Sequence, residues 1–147
     1  EGVEQNDSLA VEWYRKAAKQ ENIAGLNGLG GCYYEGKGVE QNYHEAVKYF
    51  KKAAAQDFEA AINNLALCYE NGHGVEQNLN EAIKLYQQSA EKGNAKAQYK
   101  IGIFYKEGQG VEKSYTEAKN WLRKAAVQGY SKAIEELKSI ENSMEIE

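Results

Sequence analysis

One pentapeptide constrains this chain more than any other feature. Gly-Val-Glu-Gln-Asn occurs at Gly2–Asn6, Gly38–Asn42 and Gly74–Asn78, and a diverged copy, Gly-Val-Glu-Lys-Ser, occupies Gly110–Ser114. The copies stand 36 residues apart without slippage. A fixed period of that length marks a repeat array, in which one supersecondary unit is stacked on copies of itself. Other positions keep the register: Ala10, Ala46, Ala82 and Ala118; Trp13, Tyr49, Leu85 and Trp121; and the pairs Leu29-Gly30, Leu65-Ala66 and Ile101-Gly102, each followed by Tyr33, Tyr69 or Tyr105. Nearly the whole chain is one unit repeated.

The unit reads as two helices. Asn42, Asn78 and Ser114 precede an apolar periodic run, and Glu45, Glu81 and Glu117 follow three residues later, the spacing of a reciprocal capping box. Asn6 keeps the cap while Leu9 replaces the Glu. The first helix of each copy is expected to end near Gln20, Gln56, Lys92 and Gln128. In the second copy Ala46, Val47, Phe50, Ala53 and Ala54 recur at steps of three and four, which places them on one buried face, with Tyr49 at its edge. Breaks follow at 21–22, 57–58, 93–94 and 129–130, where Gly93 and Gly129 suit helix C-caps. A second helix then runs to Glu35, Asn71 and Glu107, ended by Gly36, Gly72 and Gly108; its apolar face in the third copy is Ala97, Ile101, Phe104 and Tyr105. Gly30, Ala66 and Gly102 keep one position small so that a neighbouring backbone can come close. A last helix, about Ser131 to Asn142, carries Lys138 and Glu141 where earlier copies have a small residue and an aromatic, the polar replacement a terminal cap needs. Residues beyond Ser143 are expected to fray.

Composition narrows the functions. The net charge is −4 with acids and bases interspersed, which argues against a nucleic-acid surface. No apolar run approaches a membrane span, so no membrane insertion is expected. No leader pattern opens the chain. The chain starts inside a repeat and its single Met is Met144, which predicts a piece of a longer polypeptide. Cys32 and Cys68 stand one period apart, too far for a disulfide between stacked helices, and are expected to be buried free thiols. Unpaired thiols favour a reducing, cytoplasmic location.

The strings Ile101-Gly102 through Tyr105, Gly108, Gly110 and Val111, and Glu45-Ala46 through Lys52-Ala53-Ala54, resemble the Sel-one-like repeat family, α-solenoids related to tetratricopeptide repeats. The resemblance covers about residues 1 to 142. It implies an all-α, right-handed superhelix of 36-residue helix-turn-helix repeats forming a single domain over 1–147: a half repeat at 1–21, full repeats at 22–57, 58–93 and 94–129, and a capping half repeat at 130–147. It also implies a non-catalytic scaffold or adaptor whose concave groove holds a protein or peptide. A structural spacer or self-association module is the competing reading. A monomer is expected.

In related solenoids the first helix of each pair lines the groove, which maps here onto 22–35, 58–71 and 94–107. The candidate partner-binding residues are Asn27, Asn63 and Tyr99 in one row, Asn64 and Lys100 in the next, Leu67 and Ile103 in a third, and Tyr34, Glu70 and Lys106 at the rim. An Asn amide both donates to and accepts from a peptide backbone, and apolar Leu67 and Ile103 would add contact area. No cofactor, metal or catalytic residue is expected. Ser89-Ala90-Glu91-Lys92 matches Ser-x-x-Lys, but Ser89 stands where Ala17, Ala53 and Ala125 stand and reads as a small core residue. His44 and His73 pair by spacing neither with each other nor with a Cys, so no four-ligand zinc site assembles. The Gly-x-Gly turns lack the preceding strand of a phosphate loop.

Overall fold

A computed structural model describes residues 2–145. The expected half repeat 1–21 and cap 130–147 reach residues 1, 146 and 147, which lie outside the described residues. Among the described residues the chain is eight helices and no strand: α1 (Gly2–Lys19), α2 (Ile23–Glu35), α3 (Tyr43–Ala54), α4 (Glu59–Asn71), α5 (Leu79–Glu91), α6 (Ala95–Glu107), α7 (Tyr115–Val127) and α8 (Ser131–Glu145). They fall into two compact units, 1–78 and 79–147.

The helix ends follow from local chemistry. Asn42 Oδ1 accepts from the Glu45 backbone N–H at 3.1 Å, and Ser114 Oγ from that of Glu117 at 3.2 Å. Asn22 and Asn94 cap α2 and α6 in the same way. The reciprocal arm of the capping box is not made as expected. The backbone N–H of Asn42 donates to the Tyr33 carbonyl and that of Ser114 to the Tyr105 carbonyl, both at 2.9 Å. The cap is thus tied to the preceding helix, and the Glu45 carboxylate turns to Lys48 instead. The breaks place a left-handed residue at Glu21, Asp57, Gly93 and Gly129.

In the first unit, α1 and α2 bury Val11, Leu29 and Cys32 in one cluster, and α2, α3 and α4 bury Leu26, Ala53 and Ala61 in another. The expected face of α3 is buried at Ala46, Val47, Phe50 and Ala53. Gly30 is small because Phe50 lies on it: a Cβ there would sit 2.6 Å from the ring. The turn glycines Gly38 and Gly74 have φ of +72° and +73°, and each backs onto the start of an earlier helix. A Cβ at Gly38 would sit 2.5 Å from the Asp7 carbonyl oxygen, and one at Gly74 2.3 Å from that of Tyr43. Both cysteines are free and buried, as the repeat spacing requires. In the second unit, Leu122, Ala125, Ala133 and Ile140 form the core where α6, α7 and α8 meet.

Two further expectations fail. Asn6 caps nothing, because Gly2–Asn6 is part of α1. The same pentapeptide forms a turn at 38–42, where Gln41 Nε2 and the Asn42 N–H donate to the Tyr34 and Tyr33 carbonyls at the end of α2. The expected fraying after Ser143 is also absent through Glu145. Ser143 Oγ donates to the Ile140 carbonyl at 2.8 Å, and Lys119 Nζ on α7 lies 3.8 Å from Met144 Sδ.

Candidate functional site

The predicted surface residues divide between the two units. In the first unit, Asn27 on α2 and Asn64 on α4 meet: Asn64 Nδ2 donates to Asn27 Oδ1 at 3.1 Å. Beside them Asn63 Oδ1 is buried with no hydrogen-bond partner, which leaves an amide oxygen short of a donor. A small cavity of about 160 Å³ opens next to this pair, lined by Gly31, Tyr34, Glu35, Phe50, Asn64 and Leu67. Three candidate residues, Tyr34, Asn64 and Leu67, therefore share one wall. Leu67 is half-buried and contributes its side chain to the lining. Glu70 sits further along α4, and its backbone carbonyl accepts from Gln77 Nε2 at 2.8 Å.

Tyr34 is held from behind. Its hydroxyl lies 2.9 Å from His73 Nδ1, and the His73 ring stacks on Tyr43 with centroids 4.3 Å apart and planes 3° from parallel. Burial, then the neighbouring Cys68 and Tyr43, pushes the Tyr34 hydroxyl above its ordinary range, so it stays protonated and neutral near pH 7. Sequence reasoning missed this support. The available signal was composition: Tyr34, Tyr43 and His73 are together aromatic, where the next copy has Glu70, Leu79 and Gln109.

In the second unit, Tyr99, Lys100, Ile103 and Lys106 lie on α6, but neighbours engage most of them. Tyr99 packs against Tyr130 with ring centroids 5.3 Å apart, and burial, then Glu136, raises its hydroxyl pKa. Lys106 Nζ pairs with Glu136 Oε2 at 2.6 Å, both groups mostly buried. Lys100 Nζ lies 5.9 Å from the Tyr86 ring centroid. Ile103 is half-buried. Sequence reasoning also missed Gln98, which is buried where α2 and α4 have Leu26 and Ile62. Its amide donates to the Ala90 carbonyl at 3.1 Å and its Oε1 accepts from Gln128 at 2.9 Å, which fastens the 91–94 turn.

Burial raises both thiols, Cys68 to about 11, so neither is a ready nucleophile near neutral pH. Ser89 is fully buried, as its alignment with alanines predicts, and its Oγ finds no partner. Among the described residues no group of three His, Cys, Asp or Glu side chains is placed to hold a metal, and no helix is long and apolar enough to cross a membrane.

The Sel1 repeat pattern matches residues 1–22, 23–58, 59–94 and 95–130. The chain belongs to the Sel1 repeat family. It is therefore an α-solenoid chain of helix-turn-helix repeats, and Sel1 repeat proteins are generally protein-interaction scaffolds and typically non-catalytic. Among solved structures it is similar to c5321, a protective antigen of uropathogenic Escherichia coli with the SLR fold, at 38% identity and TM-score 0.80 over 86% of this chain and 27% of that one. It is also similar to a Sel1 repeat protein from Oxalobacter formigenes, at 44% identity and TM-score 0.73 over 78% of this chain and 47% of that one. The fold is shared with Helicobacter pylori cysteine rich protein B at 23% identity and TM-score 0.67, over 90% of this chain and 95% of that one. The chain thus spans 27% and 47% of the first two Sel1 relatives. No curated protein sequence matches it.

Proposed function

We propose that this Sel1 repeat chain is a non-catalytic binding module that takes an extended peptide segment of a partner protein on the α2–α4 face of its first unit. The observation that carries this reading is the pairing of Asn27 and Asn64 beside the 160 Å³ cavity walled by Tyr34, Phe50 and Leu67. Backbone groups of a peptide need donors and acceptors that are already oriented, and an amide supplies both. A cavity of that size suits one apolar side chain as an anchor. Residues 1–147 act as one repeat domain in this reading, and α6 contributes Tyr99, Lys100, Ile103 and Lys106 to stability more than to capture. The absence of chemistry is part of the proposal; the protonated state of the buried Cys32 and Cys68 thiols and of the half-buried Tyr34 hydroxyl supports it.

The test is a displayed peptide-library selection on the purified chain, followed by titration of the selected peptides against Leu67→Lys and Asn64→Ala. Affinity should fall about tenfold or more in Leu67→Lys, the loss expected when a buried anchor contact is removed. Lys132→Ala, on exposed α8 surface, should bind as the parent does. Peptides that bind Leu67→Lys undiminished would sink the reading. No peptides together with a stable self-associated species by light scattering would replace it with the spacer or self-association module.

A further inference from the structure

Helix α2 carries four glycines, Gly25, Gly28, Gly30 and Gly31, and three of them have a neighbour that requires them. A Cβ on Gly25 would run into Ala17, one on Gly28 would sit 2.5 Å from the Tyr14 ring, and one on Gly30 2.6 Å from the Phe50 ring. A Cβ on Gly31 would meet nothing within 4 Å. Gly31 lies in the middle of the helix and its φ is not positive, so no left-handed conformation demands glycine there either. A glycine at such a position weakens the helix relative to alanine. The contacts within the molecule therefore give this glycine no use. The use that remains for a bare backbone is close approach by another molecule.

The surroundings of Gly31 say what could approach. It forms part of the 160 Å³ cavity whose walls come from α2, α3 and α4. In that cavity the rings of Tyr34 and Phe50 stand 6.3 Å apart and 50° from parallel, which makes an aromatic corner. A third ring lying flat on the bare peptide planes at Gly31 meets the other two in the tilted or offset arrangements that aromatic groups prefer. The later copies do not repeat this combination. They have Leu67 and Ile103 in place of Gly31, and Glu70 and Lys106 in place of Tyr34. Charge adds a second, independent observation. On its α1 side Gly31 is flanked by Asp7, Glu35 and Lys37, two carboxylates to one ammonium, and Lys37 is paired with Glu35. The mouth is left negative and favours a cation.

We propose that Gly31 determines which peptide the α2–α4 face accepts: it seats an aromatic side chain flat against α2, in the corner of Tyr34 and Phe50, with a Lys or Arg of the same peptide drawn to Asp7 and Glu35. This rests on the reading of that face as a peptide site. The two adjacent glycines open α2 in two directions. Gly30 admits Phe50 from within the molecule, and Gly31 admits the partner's ring from outside it. A side chain at 31 would occupy the place of the ring, so the helix gives up stability there for binding. In α4 and α6 that place is taken by Leu67 and Ile103, and no ring is accepted.

The test uses the full chain and the peptides selected on it from a displayed library. These should carry Trp, Tyr or Phe with Lys or Arg close by. Gly31→Ala should raise the urea midpoint and yet weaken the best peptide, so the loss cannot be put down to unfolding. Gly31→Leu, which copies α4, should weaken that peptide about tenfold or more. Exchanging the peptide's aromatic residue for Leu should cost the parent chain more than it costs Gly31→Leu, the coupling expected of groups in contact. Bound peptide should also move the Gly31 Hα signals upfield, as a ring stacked over them does. Peptides with aliphatic anchors would overturn the proposal and leave the peptide face standing. So would undiminished binding to Gly31→Leu where Leu67→Lys still loses affinity. An empty selection, or undiminished binding to Leu67→Lys, would remove the face and the proposal together.

Discussion

The turn glycines can be weighed against one another by adding a single methyl group at three positions. At Gly74 the backbone has φ of +73°, and an ideal Cβ would stand 2.3 Å from the Tyr43 carbonyl oxygen and 2.5 Å from its carbon. Neither atom is a flexible side-chain end, so the first turn of α3 has to retreat by roughly 1 Å. At Gly129 φ is +83°, but nothing lies within 4 Å of the added atom. At Gly31, in mid-helix, φ is ordinary and the space is also empty. Gly129→Ala carries the left-handed cost alone, about 1 kcal/mol after the smaller entropy of the unfolded alanine chain is credited. Gly74→Ala carries that cost and an overpacking term of about 1–3 kcal/mol, so about 2–4 kcal/mol in all. Gly31→Ala relieves a helix of a glycine and should stabilise by about 0.5–1 kcal/mol. Urea unfolding followed by far-ultraviolet circular dichroism orders the three, provided the slope with denaturant is unchanged, since repeat arrays can lose cooperativity. Gly74→Ala costing no more than Gly129→Ala would refute the claim that close backbone approach, beyond conformation, dictates glycine there.

Other consequences are as direct. Ser89→Ala should raise stability by about 1 kcal/mol, because the hydroxyl is fully buried without a partner and alanine fills that position in three other copies; a destabilised variant in the same urea assay would show the hydroxyl to be satisfied. Stability should fall as pH rises from 9 towards 11. Burial holds the folded Cys68 thiol protonated to about 11, whereas the unfolded thiol ionises near its ordinary 9, so in this window the folded state binds the extra proton and loses ground as protons are withdrawn. Below pH 9 that contribution is complete. Cys68→Ala should flatten this part of the pH–stability curve, and an unchanged slope would remove the assignment.

How far the sequence was legible depends on the range of the interaction involved. The helix ends at Glu35, Asn71 and Glu107 were readable to the residue, because a left-handed glycine one position on is a local device. The buried face of α3 was readable because side-chain direction along a helix is set by its period. The candidate surface was only half readable. Asn27 and Asn64 could be placed on neighbouring helices, but not their bond, nor the support of Tyr34 by His73, 39 residues away. The ion pair that engages Lys106 was equally hidden, since Glu136 reads alone as one more charged residue on α8.

By itself, then, the sequence determined the 36-residue period, the two-helix unit, the caps and which faces turn inward, all consequences of backbone and side-chain preferences acting within a few residues. Tertiary structure alone decided which distant partners close on the residues so placed: Phe50 lies on Gly30, the Tyr34 hydroxyl meets His73, and Lys106 meets Glu136. The physical reason is that each of these contacts joins different elements far apart along the chain, so it exists only once the helices have packed.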